Sequence, residues 1–523
     1  MTTVASVDPR TGAVVEEVAE EATPEQVDAT CCRAALAASG LESLERSGRA
    51  AMLRAMAEAL EADDEGIIAT ADRETALGPT RLGGELRRTC YQLRLFAEAL
   101  DEGSYLEATI DHAGDTAMGP RPDLRRMLVP LGPVAVFGSS NFPLAFSVPG
   151  GDTVSALAAG CPVVAKAHPA HPATSERCLS ALQRGARAVA APEGTIATVH
   201  GVEAGVALVR HQVIRAVAFT GSLRGGRALF DIACSRPDPI PFYGELGSLN
   251  PVIVTPAAAE ERPVEIARGF VGSFSLGVGQ FCTKPGLLFV PTGDGGDALR
   301  SAIAEAARSL TEGVMLAQGI RDAFLAGTER LSALAGVALL AAPAEHGSGK
   351  GFSVEPRVLE VAAHVLSMES GRALLEECFG PVSVVVRYDS AEELFEALSH
   401  LDPSLTGTVQ AAAGEIDLPQ RIVELLRHRV GRLIFNGFPT GVAVGWAMHH
   451  GGPFPATTAE LHTSVGVSAI RRFLRPTCYQ DAPDELLPDA LRESNPLAIP
   501  RRIDGCLMSP GELPLLQYRS VGT

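Results

Sequence analysis

Val213-Ile214-Arg215-Ala216-Val217-Ala218-Phe219, followed directly by Thr220-Gly221-Ser222-Leu223-Arg224-Gly225-Gly226, reads as a strand, a glycine-spaced turn and the start of a helix. Similar apolar runs stand at Val134-Ala135-Val136-Phe137, Pro162-Val163-Val164-Ala165 and Pro251-Val252-Ile253-Val254, with helical stretches from Ala173 to Val189 and from Arg224 to Ala233 between them. Short strands alternating with helices are stable as a mostly parallel sheet covered on both faces, so the pattern predicts a doubly wound α/β architecture. Upstream, Thr23-Pro24-Glu25-Gln26 combines an N-cap, a first-turn proline and a capping-box glutamine, and apolar residues then recur at helical spacing as far as Leu100. A second alternating block runs from about 262 to 437, with strands expected from Gly286 to Val290, Val382 to Tyr388, Thr406 to Gln410 and Arg432 to Asn436. The stretch 111–126 is loop-rich, and the residues from about Arg501 read as an irregular surface tail.

The chain has 523 residues, 46% of them hydrophobic and 20% charged, enough for two or three buried cores. Its net charge of −18 disfavours a nucleic-acid partner, which would require a basic surface. The N-terminus lacks the basic start and apolar centre of a secretory signal, and no apolar run reaches membrane-spanning length, so a soluble cytoplasmic protein is expected. Its ten cysteines include no Cys-x-x-Cys pair, which argues for reduced thiols rather than a disulfide framework or zinc site. His449 and His450 have no partners at metal-ligand spacing, so a turn or packing role is expected of them and no metal is assigned.

One cysteine has a context that lifts it clear of the others. In Gly277-Val278-Gly279-Gln280-Phe281-Cys282-Thr283-Lys284-Pro285 the glycines allow close backbone approach and the proline fixes the exit, which presents Cys282 as a thiol nucleophile. Glu245, in Phe242-Tyr243-Gly244-Glu245-Leu246-Gly247, supplies a carboxylate at the end of a short apolar segment, and thiol plus carboxylate suggests covalent catalysis with a general base. Asn141, in Phe137-Gly138-Ser139-Ser140-Asn141-Phe142-Pro143, either donates to an oxyanion or closes an Asx-turn. The turn at Thr220 to Gly226 either holds a pyrophosphate at a helix N-terminus or merely connects two elements, because neither Gly-x-Gly-x-x-Gly nor a Walker A sequence is present. Lys166 sits where a strand runs out, and Glu377, in Glu376-Glu377-Cys378-Phe379-Gly380-Pro381, reads in isolation as a helix-end charge.

Taken in order, the segments Phe137 to Pro143, Lys166, Phe219 to Gly226, Glu245 to Gly247, Phe281 to Thr283 and Glu377 to Pro381 resemble the NAD(P)-dependent aldehyde dehydrogenase superfamily over roughly residues 5–480. Lys166-Ala167-His168-Pro169, Asn436-Gly437-Phe438-Pro439, His450-Gly451-Gly452-Pro453 and Arg472 to Gln480 are similar to the branch of α-ketoglutaric semialdehyde dehydrogenases and the bacterial NADP-dependent fatty aldehyde dehydrogenase. The resemblance implies a Rossmann-like cofactor-binding domain at 1–110 and 132–248, a catalytic domain at 249–445, oligomerisation segments at 111–131 and 446–500, and a C-terminal tail at 501–523. It also implies a homodimer or homotetramer. Carried onto these positions, Cys282 attacks an aldehyde, Asn141 and the Cys282 N–H hold the oxyanion, and Glu245 activates the water that hydrolyses the thioester.

For the cofactor, the resemblance implies that Lys166 meets the adenosine ribose or its phosphate, Ser222 with Gly221 and Gly226 the pyrophosphate, and Glu377 the nicotinamide ribose, with Phe379 near the nicotinamide. NAD-preferring members often carry glutamate where this chain has Pro169. With Lys166, His168 and Arg210 as basic candidates, NADP is therefore expected as the preferred cofactor and NAD as an alternative. Phe142, Phe146, Gln280, Phe281 and Phe454 are expected to line the substrate pocket, and Arg94 is weighed as a carboxylate partner against the blander reading of an exposed helix charge. The substrate implied by the branch is α-ketoglutaric semialdehyde, oxidised to 2-oxoglutarate. Alternatives are a medium- or long-chain aliphatic aldehyde, acyl transfer to coenzyme A, against which Glu245 counts, or a catalytically silent structural member.

Overall fold

The computed structural model describes residues 2–345 and 347–510. The first half opens with four helices, Pro24–Ser43, Glu45–Glu61, Asp64–Thr75 and Pro79–Glu102. The first starts as its sequence dictates: Thr23 Oγ1 accepts from the Gln26 N–H while the Gln26 side chain accepts from the Thr23 N–H. The second to fourth helices bury leucines, methionines and Phe96 against one face of a five-stranded parallel sheet, and a smaller apolar cluster including Val27 of the first helix, Phe137 and Leu208 covers the other face. Strand order in that sheet is Phe242–Glu245, Ala216–Thr220, Val134–Phe137, Val163–Lys166 and Ile196–Val199.

Register aligns the carboxyl ends of these strands. Gly244 lies opposite Phe219, Phe219 opposite Phe137, and Phe137 opposite Lys166. Glu245, the turn after Thr220, the loop carrying Asn141 and Lys166 therefore all emerge along one edge, the place where α/β sheets bind ligands.

A seven-stranded sheet follows in the order Ala338–Ala341, Arg357–Ala362, Val382–Tyr388, Leu287–Pro291, Val252–Val254, Ser404–Gln410 and Val430–Phe435, parallel except for the first pair. Cys282 and Glu377 stand just before the strands Leu287–Pro291 and Val382–Tyr388, so this sheet contributes the amino ends of its strands to the site. The run at Pro251 to Val254, grouped by its sequence with the first block, pairs instead with Leu287–Pro291 and Ser404–Gln410. The run expected to start at Val213 becomes a strand only at Ala216, because the Ile214 N–H closes a turn on the His211 carbonyl.

A third sheet joins Leu474–Gln480, Leu124–Pro130, Thr109–Asp111, Arg501–Ile503 and Cys506–Met508. The irregular tail expected from Arg501 is thus two strands as far as Met508, with Arg501–Ile503 parallel to Thr109–Asp111. Three-residue strands are too short to show a period, which is why the sequence hid them. Residues 511–523 of that expected tail lie outside the described residues. All ten cysteines are unpaired. Among the described residues no helix is long and apolar enough to cross a membrane.

Candidate active site

The approach to Cys282 is shaped by glycines with left-handed backbone. Gly279 has φ +65°, and a Cβ there would lie 2.3 Å from the Gly380 carbonyl oxygen, so the nucleophile's segment and the Glu377–Pro381 loop touch backbone to backbone. The Cys282 sulfur lies 3.6 Å from His450 Nε2. That nitrogen lies 3.0 Å from Glu245 Oε1, and Ser464 Oγ donates to Glu245 Oε2 at 2.5 Å. Nucleophile and base thus share one buried imidazole.

Burial, and then the charges of Glu245 and Glu377, push the Cys282 thiol well above its usual range. Burial also raises Glu245, but His450 and the Ser464 hydroxyl outweigh it and leave the carboxylate below its ordinary range. A thiol that resists ionisation therefore stands beside a carboxylate that is already ionised. Asn141, 7% exposed, donates from Nδ2 to the Gln280 carbonyl at 2.8 Å, which brings an uncharged donor to the nucleophile's segment.

His450 is the main residue that sequence reasoning missed. It was expected to serve a turn or packing; instead the 449–465 segment folds back, with the His450 N–H on Thr463 Oγ1 and the Ser464 N–H on the His450 carbonyl, and brings the ring beside both sulfur and carboxylate. The only sequence signal was its place beside Gly451-Gly452. The ligand atoms of Glu245, Cys282 and His450 lie within 4.8 Å of one another, a grouping of metal-binding residue types that ligand spacing in the sequence could not reveal.

The ring cluster expected of the pocket is present in part. Phe142 meets Phe146 at 5.2 Å and Phe281 at 5.1 Å between centroids, and Phe146 faces His450 at 6.4 Å. Gln280 does not line this pocket with its side chain: Oε1 accepts from the Leu316 N–H and Nε2 donates to the Gly277 carbonyl, because the turn before Cys282 needs both groups. Phe454 is 53% exposed and stands outside the ring cluster. Arg94 forms a bidentate pair with Glu61, as its bland reading required. Two other arginines were missed. Arg81 lies over the rings of Phe142 and Phe281, and Arg88 over Phe146.

Residues that could hold a dinucleotide follow the aligned strand ends. Ser222 caps the helix Leu223–Cys234, its Oγ accepting from the Gly225 N–H, and Gly226 packs so closely that a Cβ would lie 2.2 Å from Leu246 Cδ2. The buried Thr220 hydroxyl beside this turn has no partner in the protein. Burial brings Lys166 down to about 8, with Glu21 opposing. Burial, His171 and Lys166 hold His168 well below its usual range, and its Nδ1 accepts from the Ala170 N–H, so it is not the cation that its sequence position suggested. Arg210 ends the helix Val202–Arg210 and is exposed. Glu377 packs where Gly247 lacks a side chain, and burial pushes it up to about 7 against the opposing charge of Lys284. Phe379 is half-buried in the same loop. An ammonium, a helix N-terminus and a carboxylate along one edge fit a dinucleotide.

Comparison with known proteins agrees with this arrangement. The chain is 48% identical over 466 residues to alpha-ketoglutaric semialdehyde dehydrogenase 2 of Azospirillum brasilense, covering 88% of this chain and 87% of that protein. It is 45% identical over 444 residues to alpha-ketoglutaric semialdehyde dehydrogenase of Acinetobacter baylyi, covering 84% and 83%. Among solved structures, PnpE in complex with nicotinamide adenine dinucleotide shares the fold with a TM-score of 0.78 at 22% identity, covering 94% of this chain and 96% of that one. The aldehyde dehydrogenase family model matches residues 1–453. With Cys282, Glu245 and Asn141 gathered where the carboxyl ends of one sheet meet the amino ends of the other, and this match spanning both large sheets, the chain belongs to the aldehyde dehydrogenase family.

Proposed function

We propose that the protein oxidises α-ketoglutaric semialdehyde to 2-oxoglutarate, with NADP preferred and NAD tolerated. The observation that carries the chemistry is the convergence of the Cys282 sulfur and the Glu245 carboxylate on His450, with the Asn141 amide on the same segment. The choice of aldehyde is supported by the two relatives of 45% and 48% identity. Once Cys282 has released its proton to solvent, the thiolate Sγ adds to the aldehyde carbon, and the oxygen that gains charge is met by Asn141 Nδ2 and the Cys282 N–H. Bound NAD(P) supplies the two-electron acceptor, held by Lys166, Ser222 with Gly221 and Gly226, Glu377 and Phe379. Glu245, kept ionised by His450 and Ser464, takes a proton from the water that releases the acid and returns the thiol. A small cavity lined by Glu245, His450 and Ser464, together with Phe219, Tyr243 and Arg472, gives that water a place beside the carboxylate.

Pro169 in place of an acid, with Lys166 at the strand end, supports the NADP preference. The exposed edge strand Leu474–Gln480 supports assembly into a homodimer or homotetramer, which light scattering tests. We assign cofactor binding to 1–110 and 132–248, catalysis to 249–445, and assembly to 111–131 and 446–500, in a cytoplasmic enzyme.

The deciding experiment follows NADPH formation with α-ketoglutaric semialdehyde and with hexanal, and repeats the first with NAD. A higher kcat/KM for the semialdehyde is expected. The apolar rings of Phe142, Phe146 and Phe281 favour the second reading, an aliphatic aldehyde dehydrogenase, and preference for hexanal would put it in place of the first. A hundredfold preference for NAD would overturn the cofactor assignment.

A further inference from the structure

Arg81, Glu85 and Arg88 follow one another at intervals of four and three on the helix Pro79–Glu102, so a single face carries all three toward the site. Glu85 turns its Oε1 to the N–H groups of Leu144 and Ala145, at 2.8 and 2.9 Å, and fastens the helix to the Asn141 loop. Arg81 gives one terminal nitrogen to the Asn141 carbonyl at 2.6 Å, and its other, Nη1, is buried with no partner in the protein. Both terminal nitrogens of Arg88 are buried and unpartnered.

Arg73, Arg321 and Arg432 each leave only Nε buried without a partner, and two buried arginines use their terminal donors. Arg236 caps the carbonyls of Val209 and Ile214, and Arg472 pairs with Asp152. An unsatisfied buried guanidinium is costly, so Arg81 and Arg88 are built for a group that arrives. The charges agree: two guanidiniums face one nearby carboxylate, Glu85, while Glu245 is engaged by His450 and Ser464. The guanidiniums lie 4.9 to 5.1 Å from the centroids of Phe281, Phe142 and Phe146, which holds both among the rings expected to line the pocket. Arg88 also feels the charges of Cys282 and Glu245, which places the fork within electrostatic reach of the site.

We propose that Arg81 and Arg88 form the seat for the carboxylate at the far end of the aldehyde substrate, with Arg88 gripping it through both terminal nitrogens and Arg81 adding Nη1. This inference rests on the semialdehyde reading above and names the residues that discriminate an ω-carboxylated aldehyde from a neutral one.

The test compares 2,5-dioxopentanoate, 5-oxopentanoate and pentanal, which differ in the carboxylate and the 2-oxo group, with wild type, Arg88→Met and Arg88→Lys. Wild type is expected to favour both carboxylated aldehydes over pentanal. Arg88→Met should cut that ratio of kcat/KM values by about 10²-fold, chiefly through KM, and Arg88→Lys should restore part of it. An unchanged ratio in Arg88→Met, or a wild type indifferent to the carboxylate, would overturn the proposal. If the wild type favours 5-oxopentanoate as strongly as 2,5-dioxopentanoate, and Arg88→Met removes the preference, the arginine seat stands and the substrate assignment falls. Should Arg88→Met not fold, glutarate is expected to compete with pentanal on the wild type, more weakly as salt rises; absence of competition would overturn the seat.

Discussion

Asn250 Nδ2 lies 2.8 Å from the carbonyl oxygen of Cys282 and 3.0 Å from that of Lys284, so one side-chain amide clips both sides of the nucleophile's turn. Its Oδ1 accepts from the Ser248 hydroxyl and from both the N–H and the hydroxyl of Thr406, which ties the turn to the strand Ser404–Gln410. Asn250 is fully buried. Asn250→Ala would strand these partners and is expected to cost about 3 kcal/mol of stability. Asn250→Asp should be at least as damaging, because it sets an oxygen against two carbonyls. Denaturant unfolding with a parallel Cys282 titration checks both.

Removing the base should make the nucleophile more reactive toward an alkylating agent. The Glu245 charge helps to hold the Cys282 thiol above its usual range, so Glu245→Gln is expected to lower that range and raise the thiolate fraction at neutral pH. Iodoacetamide should therefore label Cys282 faster in the variant, and the labelling profile should shift to lower pH. Turnover should nonetheless fall by about 10²-fold or more, because the acyl group leaves Cys282 only with base-assisted water. Slower labelling would show that the carboxylate acts on the sulfur in the opposite sense.

Lys284 sets the working pH of Glu377. Its buried ammonium donates to the carbonyls of Cys378 and Val382, and its charge opposes the burial that pushes Glu377 up to about 7. On the proposed cofactor assignment only the ionised form of Glu377 accepts from ribose hydroxyls, so the cofactor KM is expected to rise as pH falls through about 7. Lys284→Met removes the opposing charge, and the rise should begin at higher pH. Glu377→Gln should flatten the profile, and a profile unaltered by both substitutions would separate Glu377 from cofactor binding.

Gly279→Ala is expected to lose about 10²-fold in kcat, since the added methyl would meet the Gly380 carbonyl and displace the thiol relative to the Glu377 loop. Cofactor fluorescence quenching distinguishes a displaced thiol, with binding retained, from a collapsed loop.

The sequence exposed those parts of the molecule that have a period or a motif. The strands Val134–Phe137 and Val382–Tyr388 are apolar runs whose limits can be read directly, and Cys282, Glu245 and Asn141 sit in local patterns that their chemistry requires. His450, Arg81 and Arg88 were hidden because each reaches the site across the fold. The first rides on a loop more than 160 residues from Cys282, and the arginines look like ordinary charges on an amphipathic helix until the unpartnered nitrogens are seen. Gln280 misled for the converse reason: its neighbours in sequence face the pocket, while its own amide is consumed by the turn.

The pairing of Thr109–Asp111 with Arg501–Ile503 has a consequence in time. During synthesis Thr109–Asp111 leaves the ribosome while almost four hundred residues are still to be made, and its neighbour Leu124–Pro130 waits nearly as long for Leu474–Gln480. The helices and parallel sheet of the first half can gather their core meanwhile, but this third sheet closes only when its late strands arrive. Its two early strands can pair only with each other until then, leaving both outer edges open, and that interval is where a nascent chain most needs a chaperone.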